Sequence, residues 1–391
     1  MKYILCLLLF FLTKAFASPS FLLISDIHYD TEKKETWQSD SGPLIWQAAL
    51  KKIMQLSHSV DFILNLGDLP AHLIVSAKKK EQDERIVFQG LLQADSSQKP
   101  MFYIPGNNDS LGGNYGPFMV KGRTPLDLAK DWEGACVYCS SLIIDNQLMR
   151  QEGYYSSYVI PGNKEVILIA LNTASLVKMP FWQKAYWNQQ QVAARQLSWL
   201  EKQLKTHKAK QLLIAMHIPP GFNYKGDALW RQSASAEFIR LLNKYASRFT
   251  EITLITGHTH MDELRQLVLP SGRVLYNYSV PSISRVHHNN PGMKVIALNN
   301  DMAVGNYTTY YTTSLTQWND EFYQAKGLTH SIFSFCQQAH LASCLNTLST
   351  EKLCHALEQG LFYGVKSKQV DQAACLRTYS ISGNPLHGEM K

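Results

Sequence analysis

Apolar residues gather along this chain into compact runs, Phe21 to Ser25, Phe62 to Leu66, Met101 to Ile104, Val166 to Leu171, Leu212 to Met216 and Ile252 to Thr256, each ending where polar residues collect. Short uninterrupted apolar runs bounded by turn-forming residues predict strands buried in a mixed sheet. Between them the period changes. Leu44 to His58, and Gln189 to Lys205 with Val192, Leu197, Leu200 and Leu204 on one side, have helical spacing. Strands alternating with helices predict an α/β fold. Beyond about Thr316 come helix-like stretches such as Thr350 to Leu361, with four Cys close together, and the expectation is a small disulfide-stapled helical appendage.

With 391 residues, 45% apolar and 18% charged, the chain can bury a large core, and its ordinary Gly and Pro content excludes collagenous and linker-like classes. No self-similar period of 20 to 50 residues points to a solenoid. The formal charge of +7 is mild. It contains no block of five like charges, so nucleic-acid binding is not implied; Lys78-Lys79-Lys80, followed by Glu81, Asp83 and Glu84, reads as a solvated helix face.

Met1-Lys2, the apolar run Tyr3 to Leu12 and Ala15-Phe16-Ala17 have the layout of a secretory signal, giving residues 1–17 as a signal peptide. The run is too short for a transmembrane helix, which takes about 20 apolar residues, so no transmembrane segment is expected in the mature chain. Export makes the chain secreted or periplasmic, and the six Cys that remain favour disulfides. Cys136-Val-Tyr-Cys139 lacks a second such pair to complete a zinc site and predicts a short-loop disulfide; Cys336, Cys344, Cys354 and Cys375 allow three pairings. The chain thus divides into 1–17, a catalytic domain at 18–315 and a Cys-containing helical region at 316–391.

The chemistry lies where the strands end. Asp26-Ile27-His28 follows the first strand, Gly67-Asp68 the second and Gly106-Asn107-Asn108-Asp109 the third; His217 and Gly257-His258-Thr259-His260 follow two later ones. Ligands bind at strand ends in open α/β sheets, so these distant segments can meet. Carboxylates, an amide oxygen and imidazoles suit zinc or manganese. A pair of ions about 3.5–4 Å apart needs a bridging ligand with two oxygens, hence Asp68 or Asp26. Period-2 spacing would place Asp26 and His28 on one side of an extended segment, and likewise His258 and His260. The glycines before Asp68, Asn107 and His258 permit tight turns.

This ordered set resembles the calcineurin-like metallophosphoesterases. Within them it is similar to the acid sphingomyelinase-like phosphodiesterases, through Asp26-Ile27-His28-Tyr29-Asp30, Gly67-Asp68-Leu69-Pro70-Ala71-His72, His217-Ile218-Pro219-Pro220-Gly221, Gly257 to Glu263 and Asn290-Pro291-Gly292, over about residues 21 to 312. The resemblance implies a four-layer α/β/β/α sandwich of the metallo-dependent phosphatase type. It also implies two divalent ions: Asp26, His28, Asp68 and His260 on one; Asp68, Asn107, His217 and His258 on the other, with Asp68 as bridge. Purple acid phosphatases carry a Tyr three residues after this Asp; Ala71 stands there, which favours a di-zinc site.

Metal binding lowers the pKa of water from about 15.7 to about 7, so the expected reaction is in-line attack on phosphorus by a metal-bridging hydroxide, with no Ser or Cys nucleophile. The family pattern Gly-Asn-His-Asp has Asn108 in place of its His, and Asn cannot titrate. The leaving-group proton is therefore assigned to His72, which matches a His of the subfamily. The expected partner is a phosphodiester, nucleotide-type such as CDP-choline or the head group of a phosphocholine lipid. The first strand begins so soon after residue 17 that a lipid-handling module before it is not expected, which favours a soluble or exposed substrate. Trp182, Trp187, Phe222, Tyr224 and Trp230 could contact base or lipid, and His287-His288 are expected at the rim. A phosphomonoesterase and a metal-binding pseudoenzyme are the alternatives. Three sequons begin at Asn108, Asn277 and Asn306; the first lies inside the metal motif, which favours a bacterial exporter.

Overall fold

The computed structural model describes residues 18–312 apart from 37, 74–75, 179–187 and 288, together with 314, 316, 323–324, 340–358 and 372–381. Residues 1–17, read as a signal peptide, lie outside the described residues, as do Trp182, Trp187 and His288.

Fourteen strands among the described residues form two seven-stranded sheets. The first holds β1 (Ser20–Ile24), β2 (Phe62–Asn65), β3 (Met101–Tyr103), β4 (Cys136–Val137), β12 (Gly292–Leu298), β13 (Val304–Tyr311) and β14 (Tyr323–Gln324), in the order β14-β13-β12-β1-β2-β3-β4. The second holds β5 (Ile143–Asp145), β6 (Tyr155–Ile160), β7 (Asn163–Leu171), β8 (Ala209–Met216), β9 (Phe249–Thr256), β10 (Leu264–Val268) and β11 (Val274–Ser279), in the order β10-β11-β9-β8-β7-β6-β5. Each has a parallel centre, β1-β2-β3 in one and β7-β8-β9-β11 in the other, with antiparallel edges.

Side-chain alternation shows how the layers stack. In β7 and β8, Val166, Leu168, Ala170, Leu213 and Ala215 join the core shared with the first sheet. Their neighbours Ile167, Ile169, Leu171, Leu212, Ile214 and Met216 face the other way. There they meet Leu197, Leu200 and Leu204 of α4 (Gln189–Thr206) and Phe238, Leu241 and Leu242 of α5 (Gln232–Tyr245). Trp46, Ala49 and Ile53 of α1 (Pro43–Ser57) and Val87, Phe88 and Leu91 of α2 (Ala77–Ala94) belong to the core of the first sheet. One short helix, α3 (Met149–Glu152), precedes β6. The sandwich is thus α/β/β/α, and all six predicted strands and both predicted helices are present, with ends displaced by a few residues.

The lysine run departs from expectation. Lys78 is exposed, but Lys79 binds Asp30 (2.5 Å) and Asp83 (2.8 Å), Lys80 binds the Ser110 carbonyl, and Asp83 and Glu84 are fully buried. This flank of α2 fastens the turns after β1 and β3 to the helix, so it is an interface and not a solvated face.

Cys136 and Cys139 form the expected disulfide. Of the three pairings open to the later Cys, the chain adopts one that joins Cys354 to Cys375; Cys344 is disulfide-bonded as well. Helices at Leu341–Leu345, Thr350–Glu358 and Gln372–Tyr379 fit the helical reading, with Leu361 outside the described residues. No helix among the described residues is long and apolar enough to cross a membrane.

Candidate metal centre

The segment after β1 does not stay extended. Asp26, His28 and Tyr29 donate their N–H groups to the carbonyls of Gly67, Asp68 and Leu69 at 2.8–3.0 Å, so the two turns run alongside each other. Asp26 (φ 52°), His28 (47°), Asp68 (55°), His258 (71°) and His260 (64°) all adopt left-handed backbone. The extended period-2 geometry expected for Asp26/His28 and His258/His260 is therefore replaced by paired left-handed turns, which still carry both side chains of each pair to one place. Each such residue costs about 1–3 kcal/mol, and strain of this kind concentrates where function demands a geometry. The glycines serve close approach: a Cβ at Gly106 would collide with the Asp68 carboxylate, and one at Gly257 with Ser25 and Asp26.

Both sheets deliver residues to the centre, β1, β2 and β3 from one and β8 and β9 from the other. Asp26 Oδ1 lies 3.6 Å from His28 Nε2, 3.6 Å from His217 Nε2 and 3.4 Å from His260 Nε2. Asp68 Oδ2 lies 3.2 Å from His217 Nε2 and 3.7 Å from His28 Nε2. Donor atoms of Asp26, His28 and Asp68 fall within 4.8 Å of one another, as do those of Asp68, His217 and His258; Asp68 belongs to both groups. All of these except the half-buried His258 are almost wholly shielded from solvent.

Hydrogen bonds around the cage aim its free atoms inward. His28 Nδ1 donates to the Pro70 carbonyl (3.1 Å) and His217 Nδ1 to that of Leu66 (2.6 Å), since a carbonyl can only accept; each Nε2 is turned to the centre. Asp26 Oδ2 accepts from Ser25 Oγ (2.5 Å) and the His258 N–H (2.9 Å), and Asn107 Nδ2 donates to Asn114 (2.8 Å). That leaves Asp26 Oδ1, Asn107 Oδ1 and His217 Nε2 buried with no hydrogen-bond partner. Buried polar atoms are nearly always satisfied, so orphans of these types, with Asp26 Oδ1 and His217 Nε2 only 3.6 Å apart, fit divalent cations.

The electrostatics agree. Burial works to raise Asp26 and Asp68, yet the neighbouring imidazoles, His217 foremost, hold both carboxyls well below the usual range. Burial opposes a charged His217, but Asp68 and Asp26 push it up to about 10. Burial holds His258 down to about 4 and His260 down to about 3. Two ionised carboxylates beside the neutral His258 and His260 form a cation-attracting donor set.

Asn108 faces this cage and not the rim. Its N–H and its side-chain amide each donate to an oxygen of Asp68 at 2.7 Å. Asp109, given no role from sequence, accepts from the N–H groups of Gly106 (2.7 Å), Asp68 (3.1 Å) and Leu69 (2.7 Å) and from Tyr103 Oη (2.8 Å), binding the two turns together. His72, one third exposed, stacks on His28 at 3.8 Å. Its Nδ1 lies 2.8 Å from Asp40 Oδ1, and its N–H donates to Asp40 Oδ2 at 3.0 Å. Sequence reasoning missed Asp40, because just before Gly42-Pro43 it reads as a helix-start residue and its partner lies 32 positions away. His287 meets His260 edge-on at 4.5 Å, at the rim as expected. Trp230 is core, its Nε1 donating to the Ile218 carbonyl (3.0 Å) and its ring against Phe238. Phe222 and Tyr224 keep partial exposure.

A two-sheet α/β sandwich carries at its strand ends an Asp/His cage that could hold metal ions. The calcineurin-like phosphoesterase family matches residues 19–262, and the chain belongs to that family. Sphingomyelin phosphodiesterase A of Dictyostelium discoideum is 21% identical over 338 residues (76% of this chain), and sphingomyelin phosphodiesterase B of the same organism 22% over 281 residues (68%). The chain spans about half the length of these relatives, 54% and 41% respectively. A dimetal phosphatase from Danio rerio overlays at a TM-score of 0.45 with 14% identity, covering 75% of this chain and 95% of that one. The resemblance read from the motifs holds at family level, and the two relatives carry its sphingomyelinase-like side.

Proposed function

We propose that this chain is an exported phosphodiesterase working with two zinc ions. Asp26, His28, Asp68 and His260 would hold one, and Asp68, Asn107, His217 and His258 the other. The observation that carries this reading is the convergence of orphaned acceptors from both sheets on a space that Asp68 shares. When bound, the cations supply a nucleophile from water near neutral pH and neutralise charge on the phosphoryl oxygens.

The chain's own groups do the rest. Asp40 engages His72 at Nδ1, leaving Nε2 to carry a proton to the leaving oxygen. Asn108, pinned to Asp68, steadies the shared carboxylate and leaves the acid role to His72. His287, edge-on to His260, and Tyr224, on the loop that follows His217, would contact the head group or base. Export, with residues 1–17 as signal and a division near 315, is supported by the paired Cys and is compatible with the similarity to sphingomyelin phosphodiesterases.

Purified, metal-analysed protein should turn over bis-p-nitrophenyl phosphate faster than p-nitrophenyl phosphate, and at least one of sphingomyelin, CDP-choline and ATP. Preference for the monoester would reassign it as a phosphomonoesterase. Stoichiometric metal with no turnover of any of these would leave a pseudoenzyme.

A further inference from the structure

The chain leaving β8 after His217 runs from Ile218 to Trp230 before α5 begins. It starts at the same strand ends as the ligand-bearing turns, where substrates sit in sheets of this kind. Internally it is closed by a bridge between Phe222 and Ala228 and a turn at Asn223. Its remaining attachments come from outside. Arg265 on β10, held by Glu263 Oε2 at 2.9 and 2.6 Å, donates to the carbonyls of Phe222 (2.8 Å) and Pro220 (3.4 Å).

A further attachment comes from the far end of the chain. Arg377 Nε donates to the Tyr224 carbonyl at 2.7 Å. Ile381, 5% exposed, lies against Gly221, where a Cβ would stand 3.2 Å from the Ile381 Cα. The Ile381 N–H donates to Gln266 (2.9 Å), next to Arg265, and Ser380 bridges the same residue. Through Cys375 and Cys354 the helix Gln372–Tyr379 is tied to the preceding one.

We propose that Arg377 and Ile381 are positioning residues that hold the 219–228 loop beside His217, so that the C-terminal helix sets how firmly a bulky substrate is gripped. This rests on the diesterase reading above. The local geometry explains the division of labour: Arg265 fixes the start of the loop from inside the molecule, and Arg377 fixes its tip from outside.

The test uses the full-length, metal-loaded protein and its Arg377→Ala, Arg377→Lys and Ile381→Ala variants. Hydrogen exchange at amides 221–228 should quicken about tenfold in Arg377→Ala and less in Arg377→Lys, which keeps a donor. KM for a large diester should rise about threefold to tenfold while kcat stays within about twofold and metal content is unchanged. Unchanged loop exchange, or unchanged KM with a lower melting temperature alone, overturns the proposal, as does a joint loss of metal and kcat. If the unaltered protein hydrolyses no diester, the functional reading fails, and the exchange measurement still decides whether the helix restrains the loop. Should Arg377→Ala fail to fold, Ile381→Ala gives the same readouts.

Discussion

His217 and His260 carry the same side chain around one cage, yet their environments set them far apart. His217 sits against both carboxylates and is pushed up to about 10, whereas burial holds His260 down to about 3. The smallest residue there is equally constrained. Replacing Gly106 with Ala would displace the Asp68 carboxylate, so Gly106→Ala should lose metal in elemental analysis and about 100-fold in activity. His72→Ala should keep its metal and lose about 10²–10⁴-fold in kcat on diesters with poor leaving groups, but much less on p-nitrophenyl esters, whose departing oxygen needs no proton. Asp40→Asn should lose about tenfold or more in kcat with metal unchanged, because Asp40 fixes which His72 nitrogen faces the site. At this scale the meeting of Asp26, His28, Asp68, His217, His258 and His260 was legible, since each lies just after an apolar run. Asp40 was not, for its meaning comes from a contact that no local pattern announces, and neither was the left-handed backbone, which depends on turns lying side by side.

Among the elements, α2 departs furthest from its sequence signature. Its mixed charges resemble a solvated face, but Asp83 and Glu84 point inward, and Lys79 and Lys80 reach across to Asp30 and the Ser110 carbonyl in neighbouring turns. Burial raises the Glu84 carboxyl well above its usual value; Lys80 at 3.3 Å opposes this and Asp109 adds to it. The folded form therefore holds a proton that the unfolded chain releases near pH 4.5. The associated stability is full below that pH and is lost as pH rises through the raised value, at up to about 1.4 kcal/mol per unit. Urea midpoints of Glu84→Gln should accordingly gain on those of the unaltered protein above about pH 4.5. The central strands, α1 and α4 were legible because buried strands and amphipathic helices impose their own periods. The antiparallel edges were not: β12 pairs with β1 across some 270 residues, a partnership that only the assembled sheet specifies.

Across the whole molecule, two sheets with parallel centres bring their strand ends to one line, and the cage closes only when both are in place. Chelation should therefore loosen the sandwich itself: at free metal a hundredfold above its dissociation constant, occupancy contributes about 2.7 kcal/mol, which calorimetry would read as a melting point several degrees lower after removal. The α/β class was readable from strands alternating with helices and the layering from the family resemblance, while the division of β7 and β8 side chains between two cores appears only once the layers are stacked.

Asn277 lies fully buried on β11, its amide donating to Thr256 Oγ1 at 2.9 Å. Oligosaccharide transfer acts on nascent, still unfolded polypeptide, so a eukaryotic secretory host could decorate this sequon, and that at Asn108, before the sandwich closes. A sugar at Asn277 would wedge the second sheet open. Material made by that route should aggregate unless Ser279 and Ser110 are changed to Ala, whereas Asn306 on the exposed flank of β13 would tolerate its glycan.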